Sequence, residues 1–388
     1  MRLLYCALDQ RVPGTLGGSI HTRSVAEGLA ALGHDVHVLA APGDGPFPEG
    51  AVRWIAAAPP LGRPHLRALR GGFVAREALR LRPHVVMERY HNFGGEGVRA
   101  ARRAGARVVL EVNAPIVDHP RSWKARIDAA LLVRPLRRWR EWQCARADLF
   151  VTPTRRILPP SVEPSRVLEI EWGADTTRFR PGATGPLPSS RPAGVLAVFA
   201  GAFRRWHGAV HLASAIRVLR GRGIHDVSAL FVGTGPELPA VREAARGLDG
   251  VVFAGAVPHD DLPAVLAACD VGVAPFDAAR HPALSLAFYW SPLKVFEYMA
   301  SGLPVVAPAI DRLAGLVAHG RDGLLYDAAH PGALADALEA LRDADLRARL
   351  GAAARARAVA EYSWAAHCAH LDAALRRLAG EPPRASAE

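Results

Sequence analysis

The 388-residue sequence predicts an α/β protein of two domains, each a parallel sheet covered by helices on both faces. Three observations predict it. Short apolar runs alternate with longer segments of helical period, the alternation stops and restarts once, and a stretch rich in Gly, Pro, Ser and Thr stands at the break. Length agrees, because 388 residues exceed what a single hydrophobic core usually serves.

In the first half RLLYCAL, DVHVLAA, HVVMERY, ARVVLEV and DLFVTPT read as strands. Between the first two lies SIHTRSVAEGLAALG, with small and apolar residues at helical spacing and a glycine stop. The break is WGADTTRFRPGATGPLPSSRPAG, the linker. Beyond it GVLAVFAGAF, SALFVGTG, GVVFAGAV, DVGVAPF, LPVVAPA and DGLLYD form a second set of strands with helices between them. The expected divisions are 1–180, 190–362, and a C-terminal helix and tail over 363–388 that packs back toward the N-terminal domain. Ligands of open parallel sheets sit at the carboxyl ends of the strands, so two such domains facing each other across a cleft are expected.

Composition excludes several classes. Half the chain is hydrophobic and 22% is charged, which is globular rather than disordered. No apolar run approaches the ~18 residues of a membrane span, and MRLLYCALDQ reads as a first strand rather than a signal peptide. Cys6, Cys144, Cys269 and Cys368 lack the spacing of a disulfide framework or metal site, so a reducing cytoplasm is expected. The net charge of +11 is confined to the first 180 residues, with 28 Lys+Arg against 17 Asp+Glu; the remainder carries 20 against 20. A basic first domain suits an acidic acceptor or an anionic membrane surface. Nucleic acid is disfavoured, because no binding module accompanies the charge. The stretch RSWKARIDAALLVRPLRRWREWQCARAD mixes basic residues with Trp123, Leu131, Leu132, Trp139 and Trp142, and Pro135 divides it. It reads first as a packed helix with a basic outer face, and second as a weak peripheral contact with the inner face of a membrane.

The chemistry concentrates in SPLKVFEYMASGLPVVAP, Ser291 to Pro308. Ser291 suits an N-cap, Pro292 the first helical position, and Gly302 the position just past the end. Lys294 then stands in the first turn, where the helix already favours an anion, and Glu297 follows on a neighbouring face. A cation suits a diphosphate, and a carboxylate can accept the hydroxyl protons of a ribose diol. The opposing reading is a solvated Lys–Glu helix pair, weakened because Lys124 and Lys294 are the only lysines. In the first half Gly17, Gly18 and His21 lie between the first strand and a helix, where backbone can approach a ligand closely. MERYHNFGGEG places Arg89 and His91 at a strand end, and VVLEVNAP places Glu111 and Asn113 at the next.

The segment Ser291 to Pro308 resembles the donor-site helix of retaining GT-B glycosyltransferases of family 4, the group 1 glycosyltransferases. VFAGAFRRWHG, FVGTGPEL, VVFAGAVPHDDLPAVLAACDVGVAPF, GGSIHTRSVAEGLAALGHDVHVLA and EWGADTTRFRP resemble further family segments in the family's order, over about residues 2 to 375. The resemblance implies two Rossmann-like domains, an N-terminal one for the acceptor and a C-terminal one for a nucleotide-sugar donor. It also implies transfer with retained anomeric configuration, independent of metal and cofactor. The donor is a co-substrate, UDP-, GDP- or ADP-linked, and the acceptor a carbohydrate, lipid-linked or small molecule. By the same resemblance Lys294 and Glu297 are catalytic, and Arg204 joins them as a catalytic cation from the loop after Gly201, where the chain departs from the family. Gly201, Arg205, His207, Gly233, Gly235, Pro236, Tyr289, Ser291, Pro292 and Leu293 face the donor, and Gly17, Gly18, His21, Arg89, His91, Glu111 and Asn113 the acceptor.

Two departures stand out. Where the family commonly has an Arg after the first loop glycine and a Lys before the later one, this chain has Ala202 and His207, with Arg204 and Arg205 between as replacement cations. Where the first of two family glutamates is expected, it has Tyr289, which can stack on a sugar or simply pack. The alternatives are a catalytically silent glycosyltransferase-like carbohydrate-binding protein, which Tyr289 motivates, and a GT-B sugar-nucleotide epimerase. A dinucleotide oxidoreductase would need a GxGxxG turn after the first strand, and none is there.

Overall fold

The computed structural model describes residues 1–116, 134–187, 191–281 and 288–382. The chain divides into two compact units. The first is Met1–Trp172 with Tyr289–Ser291 and Trp364–Glu388; the second is Gly173–Phe288 with Pro292–Ser363.

The first unit runs β1 (Arg2–Val12), α1 (Gly17–Ala31), β2 (Asp35–Pro42), β3 (Arg53–Ala56), α2 (Gly71–Leu81), β4 (Val85–Arg89), α3 (Glu96–Ala104), β5 (Arg107–Glu111), α4 (Arg134–Arg146), β6 (Leu149–Thr152) and β7 (Val167–Glu169). Every pairing is parallel, in the order β3-β2-β1-β4-β5-β6-β7. Central strands of such a sheet are covered on both faces, so Leu3 to Leu8 of β1 are buried without alternation. The order reverses at β1, which makes the exits of β1 and β4 a topological switch point. In α4 Arg140, Gln143 and Cys144 are buried, and two half-buried tryptophans flank them. Trp139 and Trp142 stack at 4.6 Å, Arg99 of α3 lies 4.3 Å from the Trp139 ring, and the Trp139 indole donates to the Gly94 carbonyl at 3.0 Å. Arg137 and Arg138 face outward, as a packed helix with a basic outer side requires. The described part of this helix spans Arg134–Arg146, so the piece expected on the other side of Pro135, with Trp123, Leu131 and Leu132, lies outside the described residues.

The second unit runs β8 (Val195–Ala200), α5 (Ala209–Gly221), β9 (Val227–Val232), α6 (Leu238–Ala244), β10 (Val251–Gly255), α7 (Leu262–Ala267), β11 (Val271–Val273), α8 (Leu293–Ala300), β12 (Val305–Pro308), α9 (Leu313–Leu316), β13 (Gly323–Tyr326), α10 (Ala333–Ala340) and α11 (Ala344–Glu361). Its sheet is parallel, in the order β10-β9-β8-β11-β12-β13, with its own reversal at β8. Phe199, Phe203 and Phe231 centre its core. The start of the expected linker packs here. Phe179 is fully buried, and Arg355 of α11 donates to the carbonyls of Thr176 (2.9 Å) and Phe179 (2.7 Å), so the first segment of the first unit ends at Trp172 rather than at 180.

The last helix, α12 (Trp364–Ala379), returns to the first unit as expected. It lies so close to α1 that a Cβ on Gly28 would collide with Cys368 Sγ. His34 donates to Asp372 at 2.6 Å beside that contact. All eleven strands expected from the sequence are present; β3 and β7 are additional edge strands, too short and too little buried to carry an apolar pattern. All four cysteines are buried free thiols. Among the described residues no helix is long and apolar enough to cross a membrane, and no three His, Cys, Asp or Glu side chains are grouped to hold a metal ion.

Candidate functional site

In the second unit the site is built on glycines at strand exits. Gly201 leaves β8 at φ 134° and Gly233 leaves β9 at φ 121°, both in backbone space that favours glycine. A Cβ on Gly233 would collide with the Gly201 carbonyl oxygen. A Cβ on Gly235 would come within 2.7 Å of the backbone nitrogen and oxygen of Phe203. The two exit loops therefore pack backbone against backbone, joined by the Phe203 amide donating to Thr234 at 2.9 Å. Pro236 is exposed in the turn that follows.

Against these loops stands α8, whose residues from Val295 to Ala300 are all buried. Its start corrects the sequence reading. The N-cap is Pro292 rather than Ser291, and no side chain caps the helix. The reason is competition: Ser291 Oγ donates to the Glu171 carboxylate at 2.7 Å and accepts from the Trp172 amide at 2.6 Å, which ties it into the first unit. Gly302, at φ 77°, stands just past the end as expected. Leu293 is half-buried and Pro292 buried.

Lys294 is half-buried as a residue, but its Nζ is sealed from solvent and has no hydrogen-bond partner. Nζ lies 4.1 Å from the Phe199 ring centroid and 5.5 Å from that of Phe276, and a Cβ on Gly201 would be 3.1 Å away. Burial pulls the ammonium down to about 7, with the Glu297 carboxylate opposing. The solvated helix pair is excluded. A buried cation without an acceptor is an unfilled demand for an anion. Glu297, 5% exposed, accepts from His259 Nε2 at 2.8 Å. That histidine escaped the sequence reading because its partner is 38 residues away.

The loop cations divide. His207 donates from Nδ1 to the Ala202 carbonyl at 2.5 Å; burial, then the charge of Lys294, pushes it down to about 3. Arg205 is exposed and pairs with Glu237 at 3.2 Å, while Arg204 is exposed and reaches over the Trp206 ring at 5.5 Å. Tyr289 belongs to the first unit, buried, its ring 5.5 Å from Trp290; burial raises its hydroxyl to about 12.

The first unit gathers a second cluster at its switch point. Arg89 and Glu111 are register partners on β4 and β5, and the guanidinium donates to Glu111 Oε1 at 2.8 Å. Glu111 also accepts from the Tyr5 hydroxyl and the Asn113 amide, and Asn113 accepts from the Trp172 indole at 3.1 Å. His21 lies 4.5 Å from the Trp172 ring and takes a 3.3 Å contact from Arg89 at Nδ1. Burial, then Arg89, holds it well below the ordinary histidine value and keeps it neutral. Burial also pushes the Glu111 carboxyl up, against the pull of Arg89. A Cβ on Gly18 would strike the amide oxygen of Gln10 and come within 3.2 Å of Arg89 Nη2; Gly17 has ordinary space beside Trp172. His91 stands apart, accepting from the Phe93 amide at 3.2 Å in its own loop.

Sequence reasoning missed the support of this cluster. Tyr5 and Trp172 hold it, and His367 donates to the Glu171 carbonyl at 2.7 Å with its ring 5.7 Å from His21. Arg67, fully buried, meets Asp9 at 2.6 Å, Glu96 at 2.5 Å and Glu88 at 3.6 Å. It comes from the basic run RPHLRALR, whose composition reads as surface.

Known proteins share the sequence pattern and the fold of this chain. Residues 194–343 match the family model described as Glycosyl transferases group 1, and residues 16–158 the one described as Glycosyltransferase Family 4. The sucrose-phosphate synthase structure from Thermosynechococcus elongatus superposes with TM-score 0.71 at 21% identity, over 97% of this chain and 98% of that one. Anabaena HepE, in a complex with UDP, does so with TM-score 0.66 at 19% identity, over 97% and 100%. The fold is that of the two-domain GT-B proteins. Within that class the chain belongs to the group 1, family 4 glycosyltransferases. Alpha-maltose-1-phosphate synthase of Mycolicibacterium smegmatis is 30% identical over 53% of this chain and 55% of its own length. D-inositol 3-phosphate glycosyltransferase of Acidothermus cellulolyticus is 28% identical over 90% and 83%. The chain spans about half the length of the first curated relatives it matches.

Proposed function

We propose that the protein transfers a sugar from a nucleoside-diphosphate sugar to an acceptor, with retention of anomeric configuration. The observation that carries this reading is the buried, unpartnered Nζ of Lys294 beside the backbone of Gly201, in a chain of this family. Breaking the bond between the sugar and the diphosphate builds negative charge on the leaving group. A cation held out of water stabilises that charge far more than one in solvent. Lys294 serves as that cation, with Arg204 from the loop after β8 as the second, and Glu297 accepts from the ribose. Residues 190–362 take the donor, and residues 1–180 take the acceptor through Arg89, Glu111, Asn113, His21 and the Gly17–Gly18 turn. The donor base is one of uracil, guanine or adenine, and the acceptor a carbohydrate, lipid-linked or small molecule. The positive charge of the first 180 residues favours an acidic acceptor and a weak peripheral contact with an anionic membrane, on its cytoplasmic side.

Thermal unfolding with UDP, GDP, ADP and their sugar conjugates tests this, because a ligand bound only by the folded state raises the midpoint. The cognate donor raises it, and release of free nucleoside diphosphate depends on acceptor. Lys294→Ala and Glu297→Ala each abolish the shift. No shift with any of these compounds, or unchanged shifts in both variants, rejects the reading.

A further inference from the structure

We propose that His259 is the positioning residue for Glu297: it holds one carboxylate oxygen in place so that the other meets a single ribose hydroxyl of the bound nucleotide. This rests on the reading of the second unit as a nucleoside-diphosphate site.

The terminal torsion of a glutamate is broad and roughly two-fold, so a carboxylate on a fixed helix still has a loosely defined plane. Glu297 stands on a helix buried from Val295 onward and is itself 5% exposed. The bond from His259 Nε2 to Oε1, at 2.8 Å, is the one hydrogen bond its carboxylate makes among the described residues. That bond selects one orientation of the carboxylate plane and leaves Oε2 to accept elsewhere.

His259 is itself fixed, from a loop that would otherwise be free to move. It lies between β10 and α7, and its ring packs 5.4 Å from that of Phe179. Phe179 is fully buried, and Arg355 of α11 holds its carbonyl at 2.7 Å. On the other side, the neighbouring Asp260 pairs with Arg178 at 2.7 Å, on the stretch that carries Phe179. A continuous set of contacts thus runs from α11 through Phe179 and His259 to the Glu297 carboxylate. The one bond from His259 therefore does two things: it gives a buried carboxylate its donor and it fixes the plane in which Oε2 is presented.

The test is calorimetric titration of UDP, GDP and ADP, each beside its 2′-deoxy and 3′-deoxy forms. A hydrogen bond to a charged group is worth about tenfold or more in affinity, so the parent protein prefers the ribose form over one deoxy form by at least that factor. His259→Ala lowers the ribose-form affinity by the same factor and leaves the deoxy form unchanged, which erases the preference. His259→Gln, whose amide can donate to Oε1, retains most of it. Glu297→Gln reproduces the alanine result, and adding His259→Ala to it changes nothing further. Deoxy binding in every variant reports an intact site. A preference that survives His259→Ala overturns the proposal, as does an equal loss for ribose and deoxy forms. Failure of the parent protein to bind any of the three nucleotides overturns the donor-site reading itself, and this assignment with it.

Discussion

The Lys294 ammonium lies 4.1 Å from the centre of the Phe199 ring with no hydrogen-bond acceptor, and the same burial draws its proton affinity down to about 7. An unfolded chain keeps that proton up to about pH 10.4. Between the two values the unfolded state holds the extra proton, so stability rises with pH by at most ~1.4 kcal/mol per unit. Lys294→Met removes this component. Its stability advantage over the parent protein is therefore largest at and below pH 7 and fades toward pH 10, read by chemical denaturation across that range. Diphosphate binding has the opposite trend and weakens as pH rises above about 7, because the neutral amine must first take a proton.

Gly233→Ala places a methyl group against the Gly201 carbonyl at a backbone angle that alanine disfavours. The backbone term alone costs about 1–3 kcal/mol, and neither loop can retreat without breaking the exit of β8 or β9. The expected outcome is a lower denaturation midpoint together with lost nucleotide binding. Gly223→Ala, also at positive φ but with open space around it, serves as the comparison that carries the backbone cost alone.

Arg89 and Glu111 are a buried pair, and removing either leaves a charge without its partner. Arg89→Ala and Glu111→Ala are each expected to cost about 3–5 kcal/mol of stability. The double variant should cost less than the sum of the two, which equilibrium denaturation of all four proteins reads as a coupling energy.

Arg67→Met removes the buried cation that meets Asp9, Glu88 and Glu96. The remaining carboxylates repel one another, and burial together with Glu96 already raises the Glu88 carboxyl well above its ordinary range. Protons can neutralise these groups, so the loss of stability in the variant should be greatest at pH 8 and shrink on acidification toward pH 5. A penalty independent of pH would show that packing, not charge, is what Arg67 supplies.

The fold was legible because parallel-sheet strands announce themselves as apolar runs, and β1, β4, β8 and β9 needed no more than that. The helix carrying Lys294 was legible from its own residues and from the strand after it. What stayed hidden depended on partners distant in the chain. Ser291 has the chemistry of a cap, but Glu171 and Trp172 claim its hydroxyl. His259 reads as a loop residue until Glu297 is beside it. Arg67 sits in a basic run that resembles solvated surface, yet its three carboxylates come from β1, β4 and α3.

The three chain segments of the first unit bear on how the protein can be divided. Residues 1–172 alone lack α12, whose Cys368 fills the space over Gly28 and whose Asp372 holds His34. Cutting at the linker would therefore strip the N-terminal piece of its last helix and leave an apolar strip along α1 open to water. A version of the first unit meant to fold alone must carry residues 364–382 grafted onto it, while its short segment Tyr289–Ser291 stays behind within the continuous stretch 173–363.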